Sequence, residues 1–259
     1  MKKILKLVSV SILSCMMALC LIVPVSAEEQ PGLYEVTIAD IKEELSNEEI
    51  IQELINYTTE IKYELSITSD FEKKIQLTQM IESLSELLNY VEVPEEDKTI
   101  ESGFRRSSQY DDEIQQQGYA TGKSNAALII AYFKNKGYNL SAELLTYATV
   151  NKSKNNTYYP TNGSKVRSSD FFNNLVSTKN HSGSSSFTGS NSNMDLYYAN
   201  HRFNYTYTAS NKLLVISDYY DFAYEDNYGG LAGVAVRAMY NAQYYGAIVP
   251  YNVRIQQYK

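Results

Sequence analysis

Two groups of polar residues in the last quarter of the chain have types and spacings that could support chemistry. Asp195, Tyr197, His201 and Arg202 fall within eight residues, just ahead of a strand-like segment. Asp and His can serve as acid and base, and Arg can hold an anionic substrate. Asp218, Asp221, Glu225 and Asp226, with Asn227, then gather carboxylates within ten residues. Asp218 and Asp221 are candidate catalytic carboxylates. Asp221, Glu225 and Asp226 are weak candidates for calcium, which takes about six to eight oxygens. The ordered spacing of an EF-hand loop is missing, so no metal site is assigned and no cofactor is expected. The plainer alternative makes Asp195 a turn cap, His201 and Arg202 surface residues, and the others loop acids. A third segment, Gly118-Tyr119-Ala120-Thr121-Gly122-Lys123-Ser124, has only three residues between its glycines and no apolar strand before it. It is not a phosphate-binding loop.

The elements that must position these residues are legible in outline. Phe203, Tyr205 and Tyr207 alternate with polar residues, Ala209-Ser210-Asn211-Lys212 supplies a turn, and residues 213–218 form a more apolar return strand. That is an antiparallel hairpin. Leu231, Val234, Ala238, Met239, Ala242 and Tyr245 recur at helical spacing up to Gly246, and residues 248–255 make a last strand, with Pro250 at an edge or at its start. Upstream, residues 125–136 form a helix stopped by Gly137, and a second helix runs from Ser141 to about Val150. A short helix over 170–176 is capped by Ser168 or Ser169, and Ser182-Gly183-Ser184-Ser185-Ser186 reads as a flexible loop.

The first part of the chain is of another kind. Residues 28–104 carry 20 acids and 5 lysines, whereas residues 105–259 carry 15 bases and 10 acids. Of the 24 tyrosines, 20 follow Arg105. Ser46 and Glu49 have the spacing of a capping box; Ile51, Leu54, Ile55, Thr58, Ile61 and Leu65 form one helical stripe. Ser69-Asp70 starts a second helix with Phe71, Ile75, Ile81, Leu84, Leu88 and Val91. The expected class is α+β: an N-terminal acidic helical hairpin over 28–93, a polar linker over 94–117, and a tyrosine-rich α+β domain over 118–259 with a small antiparallel sheet. Arg105 and Arg106 form a dibasic pair in the linker, so the hairpin is either a spacer or a cleavable, inhibitory pro-region held by charge.

Lys2, Lys3 and Lys6, an uncharged stretch over 7–27 and the small residues Val25 and Ala27 compose a secretory signal with cleavage after Ala27, over residues 1–27. Both cysteines, Cys15 and Cys20, lie inside it. A product cut after Ala27 carries no thiol, which excludes disulfide scaffolds, Cys-ligated zinc and thiol catalysis. It is expected to be secreted and to have no membrane span after signal removal. Nucleic acid is disfavoured as a partner, because the basic residues are scattered rather than striped.

The segments Asp195-Leu196-Tyr197-Tyr198-Ala199, Phe203-Asn204-Tyr205, Asp218-Tyr219-Tyr220-Asp221-Phe222 and Leu231-Ala232-Gly233 resemble a domain recurring in secreted Gram-positive and actinobacterial proteins. That resemblance implies domain integrity and export, and carries no activity. The Asp195-x-Tyr197 and His201-Arg202 pairs are also similar to the signature of the colicin M family, which cleaves the lipid-linked peptidoglycan precursor. Here Tyr198 stands where a second acid belongs, and His201-Arg202 comes early. The expected function is therefore a secreted interaction or effector module, with a cell-envelope polymer or an extracellular protein as partner. The alternatives are a bacteriocin-like toxin or envelope hydrolase kept latent by the acidic hairpin, and a structural matrix protein.

Overall fold

The computed structural model of the chain describes residue 42 and residues 44–91, 107–187, 194–223 and 230–259. All of these lie in the unit that runs from Glu35 to Lys259. The expected signal with its Ala27 cleavage point, the dibasic pair Arg105–Arg106, and Glu225 and Asp226 lie outside the described residues.

Helix α1 (Asn47–Ile67) begins at the capping box: the Glu49 amide donates to Ser46 Oγ at 3.2 Å and the Ser46 amide to the Glu49 carboxylate at 2.8 Å. Helix α2 (Phe71–Val91) returns beside it, with the Lys73 amide donating to Asp70 Oδ1 at 3.0 Å. The hairpin is as expected and Leu54, Thr58, Ile61, Leu84 and Val91 of its expected stripes are buried, but the inward faces are turned partly away from those stripes. Tyr57, Leu77, Met80 and Leu87 are buried, whereas Phe71 is 71 % exposed and Ile55 and Ile75 also face solvent. Two antiparallel helices fix their phase by what they both cover, and what they cover is the rest of the chain.

Helix α3 (Ser107–Asn135) takes in residues 107–117, which had been expected to lie in the linker. Its glycines are packing surfaces. A Cβ on Gly118 would lie 2.4 Å from the Tyr245 ring, and one on Gly122 would lie 2.7 Å from the Ala247 Cβ. Gly137 ends this turn of the chain at φ 71°, in the left-handed region. Helix α4 (Asn139–Val150) follows, and every residue from Leu140 to Thr149 is buried. A helix buried on all sides has to sit between layers. The hairpin and α3 cover one side of α4. On the other, Tyr251 donates its hydroxyl to the Leu144 carbonyl at 2.6 Å, and the Val249 amide donates to the Ala148 carbonyl.

The sheet supplies that second side. After β1 (Thr157–Tyr158), a 3₁₀ segment (Thr161–Ser168) leads into α5 (Asp170–Leu175), capped by Ser169 as expected. Then come β2 (His181–Ser186), α6 (Met194–Ala199), β3 (Arg202–Thr208), β4 (Leu213–Tyr220), α7 (Gly230–Tyr244) and β5 (Tyr251–Tyr258). The strand order is β1-β5-β4-β3-β2. The sheet is mixed rather than purely antiparallel, because β1 pairs parallel to β5 while the other pairs are antiparallel. Pro160, two residues beyond Tyr158, has no amide to extend that parallel ladder.

The β3–β4 hairpin has the expected turn, with Lys212 at φ 51°, and β4 runs two residues past its expected end at Asp218. The Ser/Gly run expected as a loop is instead the edge strand β2, in register with β3 from His181↔Tyr207 to Ser186↔Arg202. Serine and glycine have little strand preference of their own. The open edge of β3 organises them, and the Tyr205 hydroxyl lies 2.6 Å from His181 Nδ1 across the pair.

One core runs from the hairpin to the sheet. Met80, from α2, receives the Tyr158 hydroxyl at 3.5 Å, and Ser83 Oγ meets Thr149 Oγ1 at 2.6 Å. Buried Lys123 donates to the Thr149 carbonyl at 3.0 Å, with Glu86 of α2 at 3.7 Å. Removing the hairpin would uncover α4, so a cut between α2 and α3 leaves a two-piece particle. After such a cut, both fragments are expected to co-elute in size-exclusion chromatography and separate only in denaturant. Loss of the N-terminal fragment with a soluble, folded remainder would contradict this packing.

Candidate functional site

Each expected catalytic residue can be placed by its partners. Asp195 opens α6 and is 5 % exposed. Its Oδ1 accepts from the Ser141 amide and hydroxyl, both at 2.8 Å. Its Oδ2 accepts from the Leu140 amide at 3.1 Å and from Lys165 Nζ at 2.7 Å. These amides belong to the first turn of α4, where backbone donors lack helical partners and the dipole favours an anion. Asp195 thus caps α4 from another element, and both of its oxygens are occupied.

His201 is half-buried: its Nδ1 lies 3.1 Å from the Phe187 carbonyl, and its ring packs edge-on against Tyr197 at 4.7 Å. Arg202 is exposed on the opposite, outward face of the sheet. The three residues therefore serve three different surroundings and share no cavity. Glu143, which the sequence did not single out, is a buried carboxylate on α4 itself. Its Oε1 accepts the Tyr158 hydroxyl at 2.7 Å and the Thr161 amide at 2.6 Å. Its Oε2 accepts the Asn162 amide at 2.8 Å and side-chain amide at 2.9 Å. Burial pushes its carboxyl upward and these donors pull it back. The available signal was an acid within the otherwise small and apolar run Ala142-Glu143-Leu144-Leu145.

Asp218 lies on the inner face of β4, aligned with Leu214, Ile216 and Tyr220. Its carboxylate accepts from Asn200 Nδ2 at 2.9 Å and from the Tyr219 amide at 2.8 Å. Burial pushes its pKa up to about 6, against the pull of those donors, and Asp221 adds to the rise. Asn200 is 1 % exposed, and its Oδ1 has no hydrogen-bond partner among the described residues. Exchanging the amide O and N would face that oxygen toward Asp218, where a protonated carboxyl can donate to it. Asp221 is exposed. No group of three or more His, Cys, Asp or Glu side chains among the described residues could hold a metal ion.

The cleft between α3 and α7, about 270 Å³, is lined by Gln117, Thr121, Asn125, Asn241 and Tyr245 over Gly118. It holds no acid, base or nucleophile suited to catalysis. Among the described residues no helix is long and apolar enough to cross a membrane.

What remains open is the outward face of the sheet. Register places Ser184, Asn204, Ser217 and Arg254 in one row across β2, β3, β4 and β5. The next row holds Ser186 and Arg202, followed by Tyr219 and Asn252. Tyr219 is 41 % and Tyr258 56 % exposed. Asp218 is the one carboxylate in the five strands and it points inward, so the outward face bears arginines without acids.

No protein-family model matches the chain, and no curated protein or solved structure matches it. The residues of the pattern described above largely serve the fold. Asp195 caps α4, Ala199, Phe203, Tyr205 and Tyr220 are buried, and Asp218 pairs with Asn200.

The raised Asp218 pKa fixes a sign for pH dependence. Between its unfolded value and about 6, the folded chain holds a proton that the unfolded chain releases. The associated stability is present in full below the unfolded pKa and is lost as pH rises through about 6. Asp218→Asn stays neutral, so it is expected to melt roughly 2–6 °C above wild type near pH 7.5, with the gain shrinking near pH 4. Thermal melts at both pH values check this; an equal change at both would contradict it.

Proposed function

We propose that this chain is an exported binding module whose ligand is a polymer of the cell envelope, held on the outward face of the sheet. The observation that carries the reading is that face itself: four adjacent strands presenting hydroxyls, amides, two arginines and two exposed tyrosines. Side chains on one face repeat about every 7 Å along a strand and about every 5 Å between strands, a lattice suited to an extended, repeating ligand. Tyrosine supplies a rigid apolar surface with a polar edge, which suits wet polymer surfaces. Export rests on the basic start, uncharged stretch and small-residue end of residues 1–27.

A hydrolase or toxin built on Asp195, His201 and Arg202 has less support, since Asp195 is engaged in capping α4. The acidic hairpin is a permanent cover for α4 in this reading, and its charge keeps the rear of the particle from competing for an anionic surface.

Purified cell walls provide the test. The protein is expected to sediment with them at physiological salt, and Tyr219→Ala with Tyr258→Ala to weaken binding about tenfold, whereas Tyr63→Ala with Tyr244→Ala leaves it unchanged. Failure of the wild-type protein to sediment would remove the reading.

A further inference from the structure

Resting on the sheet-face reading, we infer that the ligand is an acidic polysaccharide, with its charged substituents bound by Arg202 and Arg254 and its sugar rings lying against Tyr219 and Tyr258. Arg202 and Arg254 are exposed, and neither guanidinium has an ion-pair or side-chain hydrogen-bond partner among the described residues. Several other cations pair with acids: Lys73 with Glu64, Lys134 with Glu60, Lys136 with Glu44 and Lys165 with Asp195. The chain as a whole carries net charge −7, whereas the outward strand positions carry these two guanidiniums and no acid, a local inversion of its charge.

The register gives their geometry. Arg254 on β5 stands opposite Ser217 on β4, and Ser217 stands opposite Asn204 on β3. Arg202 is one two-residue step further along β3, level with Tyr219. Two strand spacings and one such step separate the arginine backbones by about 12 Å. Between them lie Ser217 and the Tyr219 ring, so a chain crossing the sheet diagonally meets charge, ring, hydroxyl and charge in turn. The guanidinium fork matches carboxylate and phosphate oxygens and is weakly hydrated, which suits an anion displayed on a polymer. Flat aromatic faces and neutral hydrogen-bonding groups suit sugar rings and their hydroxyls. A peptide ligand would instead call for apolar pockets, and the outward rows carry mainly hydroxyls, amides and guanidiniums, with Leu213 and Val215 half-buried among them.

The test uses the full protein, polygalacturonate as the acidic probe, and its methyl-esterified form as the neutral probe of the same backbone. Polygalacturonate is expected to bind, more tightly at low salt, and the methyl ester to bind at least about tenfold less well. Arg202→Gln with Arg254→Gln is expected to lose about tenfold or more for polygalacturonate, while Lys152→Gln with Lys154→Gln, which removes equal charge elsewhere, changes it little. Circular dichroism and melting confirm that each variant folds. Equal binding of both probes, or equal losses in the two double variants, overturns the acidic ligand. If the Tyr219 and Tyr258 variants still weaken sedimentation with walls, the sheet-face reading survives that result. No binding to either probe or to walls overturns both.

Discussion

Burial of helix α4 sets the terms for the rest of the molecule. Ten consecutive residues are out of solvent, and among them are Ser141, Glu143, Thr146 and Thr149. Each has to find a partner, because an unmet buried polar group costs about 1–3 kcal/mol and an unmet charge more. Asp195 answers the amides at the start of α4, and Lys165 answers Asp195. Glu143, projecting from the middle of α4, answers the free amides of the 3₁₀ segment that carries Lys165. Lys123 and Ser83 close the other end at Thr149. The result is a closed circuit of α4, the 3₁₀ segment and α6, which fixes where the strands begin.

The tyrosines follow from the same constraint. Tyr147 stacks on Tyr158 at 4.1 Å, and Tyr251 meets both edge-on while packing beside Tyr220. Phenylalanine could fill that volume but could not donate to Glu143 or to the Leu144 carbonyl, as Tyr158 and Tyr251 do. Burial raises their hydroxyl pKa values, which keeps them protonated and therefore donors. In the C-terminal domain, Tyr159, Tyr219, Tyr244 and Tyr258 are the exposed ones among the described tyrosines. Tyrosine abundance thus comes mainly from the core, and recognition rests on the few that face outward.

Features governed by near neighbours in the chain were legible in the sequence. The Ser46–Glu49 box, the β3–β4 hairpin and the stop at Gly137 each rest on local geometry, and all three are present. Features fixed by distant partners were not. The strand β2 exists because β3 offers an edge, so its Ser/Gly composition reads as a loop. The inward phase of α1 and α2 depends on α4, and Phe71 and Ile75 remain outside although their spacing suits a core. Asp195 drew notice as an acid near a histidine, but its role is set by amides 54 and 55 residues earlier. The open sheet face could not be read at all without register, since Arg202 and Arg254 are separated by more than a third of the domain in sequence and by one strand in space.

Structure and proposed function meet at that face: the circuit around α4 holds the inner side rigid, and the outer side is left for a ligand. Hydroxyl-radical footprinting of the protein with and without purified cell walls tests this most directly, because it reads individual exposed tyrosines. The account predicts that walls protect Tyr219 and Tyr258 from oxidation and leave Tyr63 and Tyr244 as reactive as in free protein. Protection of Tyr63 or Tyr244 with Tyr219 and Tyr258 unchanged would place the contact elsewhere and contradict it.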